Sequence, residues 1–102
     1  MNITIFYVTF PNNEIALKFS EKLLLNKIIA CYNISNIQSG YWWKEQIQNE
    51  KEFVAIYKTT QQNTLNLEKY INVHHPYEVP CIMRWEVEVN VAYGEWIEAM
   101  VQ

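Results

Sequence analysis

Residues 73–80 read VHHPYEVP, and His74 and His75 are the only histidines in the chain. Imidazole nitrogens and a carboxylate such as Glu78 are ligand types that zinc and copper accept. Adjacent residues at a helix end point in different directions, however, and helical zinc ligands normally stand three or four residues apart. The pair therefore supplies at most two ligands. Helical spacing puts His74 on the buried stripe of the preceding segment, whereas Pro76 pushes His75 towards extended backbone and out of the helix. The stronger reading is a rigid helix-to-strand corner that lines a site.

Three other sets carry chemistry in principle. Tyr41, Trp42 and Trp43 form an aromatic block suited to stacking on a ligand, or to hairpin packing across a subunit boundary, which the acidic charge of the chain favours. Glu45, Glu50 and Glu52 are neighbouring carboxylates, and Glu50 and Glu52 share one strand face at roughly 7 Å spacing. Paired carboxylates do acid/base work in glycoside cleavage, but Lys44 and Lys51 beside them favour a solvated edge. Glu52 precedes an apolar run and needs a partner if it is covered, with Lys58 a candidate. Cys31 with His74 or His75 is a conceivable nucleophile pair. No Gly-rich oxyanion loop accompanies it, because Gly40 and Gly94 are the only glycines.

These residues must be positioned by a chain of 102 residues, one domain over 1–102, of which 50% is apolar. That is ample for one core without a disulfide or structural metal. Charged residues are 19%, the net charge is −3, and Arg84 is the lone arginine. No basic stripe exists, which argues against a nucleic-acid partner. The low charge predicts apolar surface covered by another copy of the chain. Cys31 and Cys81 are widely spaced and read as buried thiols of a reducing compartment. MNITIFYVTF lacks a basic leader and reads as a strand, and no stretch is apolar enough to span a membrane. The expected location is cytoplasmic.

Along the chain, residues 3–10 are apolar on both parities, as in a central strand. Asn12 or Asn13 caps a helix whose stripe is Ile15, Ala16, Phe19 and Leu23. Residues 28–43 form a long strand, bent or bulged near Ser39–Gly40, and residues 47–59 return as its hairpin partner, doubly apolar from Phe53 to Tyr57. Thr60 caps a second helix over 61–74. Residues 81–91 alternate, with Cys81, Met83, Trp85 and Val87 on one face. A terminal helix over 93–101 presents Tyr93, Trp96, Ile97 and Met100. The order βαββαβ plus a helix is the α+β ferredoxin-like arrangement, first and third strands central, both main helices on one face. The terminal helix is too short to cover the other face, so self-association follows.

HHPYEVP (74–80), IIACYNI (28–34), GYWWKEQI (40–47), KTT (58–60) and YGEWI (93–97) occur in an order and spacing that resembles the CutA family of divalent-cation-tolerance proteins. The resemblance covers essentially the whole chain. It implies a tight homotrimer of ferredoxin-like subunits with long strands, an assembly similar to the PII signalling proteins, a link to tolerance of copper and other divalent cations, and no enzyme activity. It requires no cofactor, and Cu2+ or another divalent cation is the candidate ion. The ligands it implies are His74 and His75 with a first-strand cysteine, and that position is Val8 here. Two further departures are Glu45, where the family has a glycine after the hairpin tryptophans, and Cys81, where it has a glutamate. The implied ligand cleft, at a subunit boundary, comprises Trp42, Glu52, Lys58, His75, Tyr77 and Glu78 and takes a divalent cation or a small anionic ligand. The rival expectation is a structural or signalling scaffold whose trimeric assembly is itself the function.

Overall fold

The computed structural model describes residues 1–102. The elements are β1 (Asn2–Phe10), α1 (Asn13–Leu25), β2 (Cys31–Trp43), β3 (Gln46–Thr59), a 3-10 turn (Gln61–Asn63), α2 (Thr64–His74), β4 (Ile82–Glu88) and α3 (Val91–Met100). They form one antiparallel sheet in the order β2-β3-β1-β4. The ferredoxin-like topology, with its C-terminal helix, is therefore as the residue pattern predicts, and the two strands apolar on both parities are the central ones.

Local chemistry explains the helix ends. The Asn12 side chain accepts the Ile15 amide at 2.9 Å and caps α1. Lys27 stands at a φ of 57° beyond the helix, and the Lys27 and Ile28 amides donate back to the carbonyls of Leu24 and Leu23. This doubly bonded left-handed termination delays β2 until Cys31, three residues later than the apolar run begins. Thr60 does not cap α2 with its side chain. A 3-10 turn intervenes, and Asn63 Nδ2 donates to the Ile28 carbonyl at 2.9 Å, tying the start of α2 to the segment before β2.

Register assigns the faces. Phe6, Val8 and Phe10 of β1 lie beside Tyr57, Ala55 and Phe53 of β3. With Phe19 and Leu23 of α1 and Leu67 and Ile71 of α2 they make the main core. On β4 this face carries Ile82 and Arg84, and Arg84 pairs with Glu68 of α2 at 2.9 Å. The apolar row of β4 points the other way. α3 covers one end of that face, where Ile97 meets Ile3 and Ala30. Gly94 permits this, since a Cβ there would lie 2.9 Å from Met1 Sδ. Of the stripe expected on α3, Ile97 is buried while Trp96 and Met100 stay exposed. Met83 and Trp85 remain 48% and 45% exposed on the uncovered sheet.

β1 stops pairing with β3 at Phe10 and Phe53. Beyond that point β2 and β3 run on as a two-stranded ribbon to the Trp43–Gln46 pair. The register is unbroken from Cys31–Lys58 to Trp43–Gln46, so the bulge expected near Ser39–Gly40 is absent. The ribbon helps stretch the molecule to 45 × 24 × 21 Å. Lys44 and Glu45 make its two-residue turn with φ values of 50° and 65°. Both are left-handed, as a tight hairpin of matching twist requires. The glutamate in place of glycine has therefore not removed the turn conformation; the long paired ribbon enforces it.

Candidate functional site

The VHHPYEVP corner is built around His75. Its backbone is extended, with φ −69° and ψ 140°, because Pro76 follows it. That change re-aims the side chain off the helical wheel and towards β1 and α1. The ring stacks on Phe10 at 4.8 Å and also meets Phe19 and Tyr77. Nε2 donates to the Thr9 carbonyl at 2.8 Å, and Nδ1 accepts the Tyr77 amide at 3.0 Å. Burial lowers the pKa of His75, outweighing the Thr9 hydrogen bond and the nearby Glu52, and keeps the ring neutral. His75 thus leaves the helix as expected, but it, and not His74, is the buried histidine. His74 is exposed and lies against Tyr70 at 4.4 Å.

The corner carries Tyr77 onto Glu52. The phenol donates to Glu52 Oε2 at 2.7 Å, and the carboxylate is 5% exposed. Burial, then the hydrogen bond to Glu52, raises the pKa of Tyr77. Burial, with a smaller contribution from Glu52, raises that of the Cys81 thiol. A protonated thiol is a poor nucleophile.

Between the ribbon and the corner lies a cleft of about 960 Å³. The ribbon lines it with Ile37, Tyr41, Trp42 and Trp43, the corner and its exit with Tyr77, Glu78, Val79 and Cys81, and the sheet with Tyr7 and Glu52. On the ribbon, the Tyr41 phenol donates to Glu50, and this hydrogen bond raises its pKa to about 12.

The residues expected to act together divide into two groups. Trp42, Glu52, Tyr77 and Glu78 line this cleft. Lys58 does not. It stands six positions along β3 from Glu52 and donates to Asn33 Oδ1, so the partner of Glu52 is Tyr77 and not lysine. His75 stands behind the wall and fixes the corner. Cys31 pairs in register with Lys58 and its thiol lies 3.4 Å from the Tyr93 phenol, at the far end of β3 from the corner, so no Cys31–histidine pair forms. Tyr7 escaped the sequence reading; its signal is its odd parity on β1, opposite to Phe6 and Val8.

Charge and coordination bear on the ligand. The lining includes two carboxylates and no lysine or arginine, which opposes the small anion expected above. No three His, Cys, Asp or Glu side chains converge as a metal centre. Val8 is fully buried in the helix-side core, and both ring nitrogens of His75 are engaged within the chain. Val8, His74 and His75 therefore do not fit a shared copper site within one chain.

The match to the CutA1 divalent ion tolerance protein family spans residues 4–100. The Thermotoga maritima divalent-cation tolerance protein CutA is 45% identical over 96 residues, covering 93% of this chain and 95% of that protein. The Pyrococcus horikoshii CutA1 crystal structure is similar with a TM-score of 0.94 at 38% identity, covering 97% of this chain and 98% of that one. The structure of the Archaeoglobus fulgidus relative, at 32% identity, a TM-score of 0.92 and 100% coverage of both chains, is described as that of a periplasmic divalent cation tolerance protein. This overturns the cytoplasmic expectation. Free cysteines and a compact core are compatible with either compartment, so they do not determine an address. No helix is long and apolar enough to cross a membrane.

Proposed function

The chain belongs to the CutA1 divalent ion tolerance family, and on that premise we propose that residues 1–102 act as a single, non-catalytic domain in divalent-cation tolerance. It works as a homotrimer, with the cleft between ribbon and corner at a subunit boundary. Trp42, Glu52, Tyr77 and Glu78 bind a cation or small ligand there, and His75 holds the corner in place.

The uncovered sheet face carries the assembly reading. Met83 and Trp85 are about half exposed on a β-strand face that also presents Ile5 and Tyr7 of the central strand. Single exposed apolar residues are ordinary, but a contiguous apolar sheet face marks an interface. The unpaired edges of the ribbon offer main-chain donors and acceptors to a neighbour.

The test has two arms. Sedimentation equilibrium reads the assembly, and a monomer at micromolar concentration sinks it. Expression in a bacterial host lacking its own CutA1 protein, grown across a Cu2+ series, reads the tolerance role. No change in the tolerated concentration removes it.

A second reading has an observation in its favour. The lack of converging metal ligands and the engaged nitrogens of His75 suit a scaffold whose assembly is the function. It predicts that no small ligand saturates the cleft.

A further inference from the structure

Resting on the cleft reading above, we propose that the ligand of this cleft is a small organic cation, a primary or quaternary ammonium whose charge pairs with Glu52 and whose carbon groups lie against the aromatic walls.

Coordination and size argue first. A zinc site takes about four protein or water ligands, and calcium takes six to eight oxygens. Glu52 is the one buried carboxylate of the cleft, and no three His, Cys, Asp or Glu side chains converge there to complete a metal shell. The cleft of about 960 Å³ is far larger than an ion and within the range of organic ligand sites.

Glu52 argues second. Its Oε2 is engaged by Tyr77, while Oε1 accepts no hydrogen bond within the chain. It is not sealed off from the cleft, since no fully buried side-chain oxygen is left without a partner. Its free Oε1 is open to a donor entering the cleft, and a positive donor there gains most as the walls exclude water. No lysine or arginine of the chain lines the cleft to supply one.

The aromatic rings argue third. Tyr7, Tyr41, Trp42, Trp43 and Tyr77 all line the cleft. The negative π-face of such rings attracts ammonium groups, most strongly for Trp, and the attraction grows when water is excluded. The wall already shows this preference at its rim, where Lys44 Nζ lies 5.7 Å from the Trp43 ring centroid. An anion would meet the same rings and carboxylates with the opposite sign.

The experiment titrates the full chain, in its native assembly, with choline chloride and with n-butylamine, following tryptophan fluorescence and heat. Sodium butyrate and CuCl2 are the comparison ligands. The variants are Glu52→Gln, which keeps an acceptor for Tyr77 but removes the charge, and Trp42→Ala at a site 71% exposed. The expected result is saturable ammonium binding, about tenfold weaker in Glu52→Gln and several-fold weaker in Trp42→Ala, with sedimentation unchanged. Equal affinity in wild type and Glu52→Gln overturns the proposal, as does tighter binding of butyrate. If Cu2+ saturates the tryptophan signal and neither ammonium does, the ligand class falls while the cleft reading stands. If no probe perturbs the cleft, both fall.

Discussion

The Tyr77 phenol donates to Glu52 Oε2 across 2.7 Å, joining the proline-rich corner to the third strand and covering a carboxylate that no cation of the chain reaches. Two features that look independent in sequence, the HPYEVP corner and the glutamate before an apolar run, are halves of one contact.

Removing the phenol therefore leaves a buried charge without its donor. Tyr77→Phe is expected to destabilise the protein by about 1–3 kcal/mol, the range for an orphaned buried polar group. Urea denaturation at one fixed protein concentration measures this, since assembly shifts apparent stability. Glu52→Gln retains an acceptor for Tyr77 and should lose less. A larger loss in Glu52→Gln than in Tyr77→Phe would show that the hydrogen bond is not what the corner depends on.

The neutral His75 predicts an acid-sensitive corner. Folding lowers its pKa below the ordinary 6.5, so the unfolded chain binds more protons in the window between the two values. Stability then rises with pH across that window. The contribution is complete above pH 6.5 and is lost as the pH falls below it towards the folded value. Denaturation midpoints measured from about pH 8 down to about pH 5 should decline at the acid end. His75→Gln, which can still donate and accept, should flatten that decline, and an unchanged slope would remove His75 as its source.

Glu45 holds a left-handed turn position that glycine fills more readily, with φ 65°. The side-chain clash in that region amounts to about 1–2 kcal/mol for an L-residue. Glu45→Gly should raise stability by about 1 kcal/mol after allowing for the greater freedom of glycine in the unfolded chain. Thermal melting at fixed concentration reads it. A lower melting temperature would mean that the glutamate side chain makes a contact in the assembly that outweighs the strain.

Trp85 sits in the middle of the β4 row on the uncovered face. Trp85→Glu places a charge where a neighbouring subunit is proposed to pack, and it should shift sedimentation from trimer towards monomer. The exposed residue Leu25, on α1, is the control, and Leu25→Glu should leave the assembly intact. Trimers of equal stability in both variants would place the interface elsewhere.

Much of the fold was legible because periodicity reports which faces are buried. Phe6, Val8 and Phe10 alternating with Ile3, Ile5 and Tyr7 marked a strand covered on both sides. The Ala16, Phe19 and Leu23 stripe marked a helix on a sheet, and Asn12 marked its start. Thr60 failed as a cap because the 3-10 turn placed Asn63 where it could reach the Ile28 carbonyl, a partner 35 residues away. His75 leaves the helix as Pro76 dictates, but His74, still helical, is exposed where the apolar stripe placed it inside, and the turn at Pro76 puts His75 into the core instead.

The sequence by itself determined the order of elements, the two central strands, the long ribbon and the family, since all of these follow from local propensity, apolar spacing and short motifs. It also determined that more apolar sheet surface exists than one short terminal helix covers. Tertiary structure alone decided which polar groups meet. Register of β3 against β1 and β2 buried Val8 on the helix side and sent Cys31 to the end of the sheet away from the histidines. The corner then brought Tyr77, not lysine, to the carboxylate. Such partners are set by how strands align and where a chain turns back over them, and neither is encoded in the spacing of residues along one element.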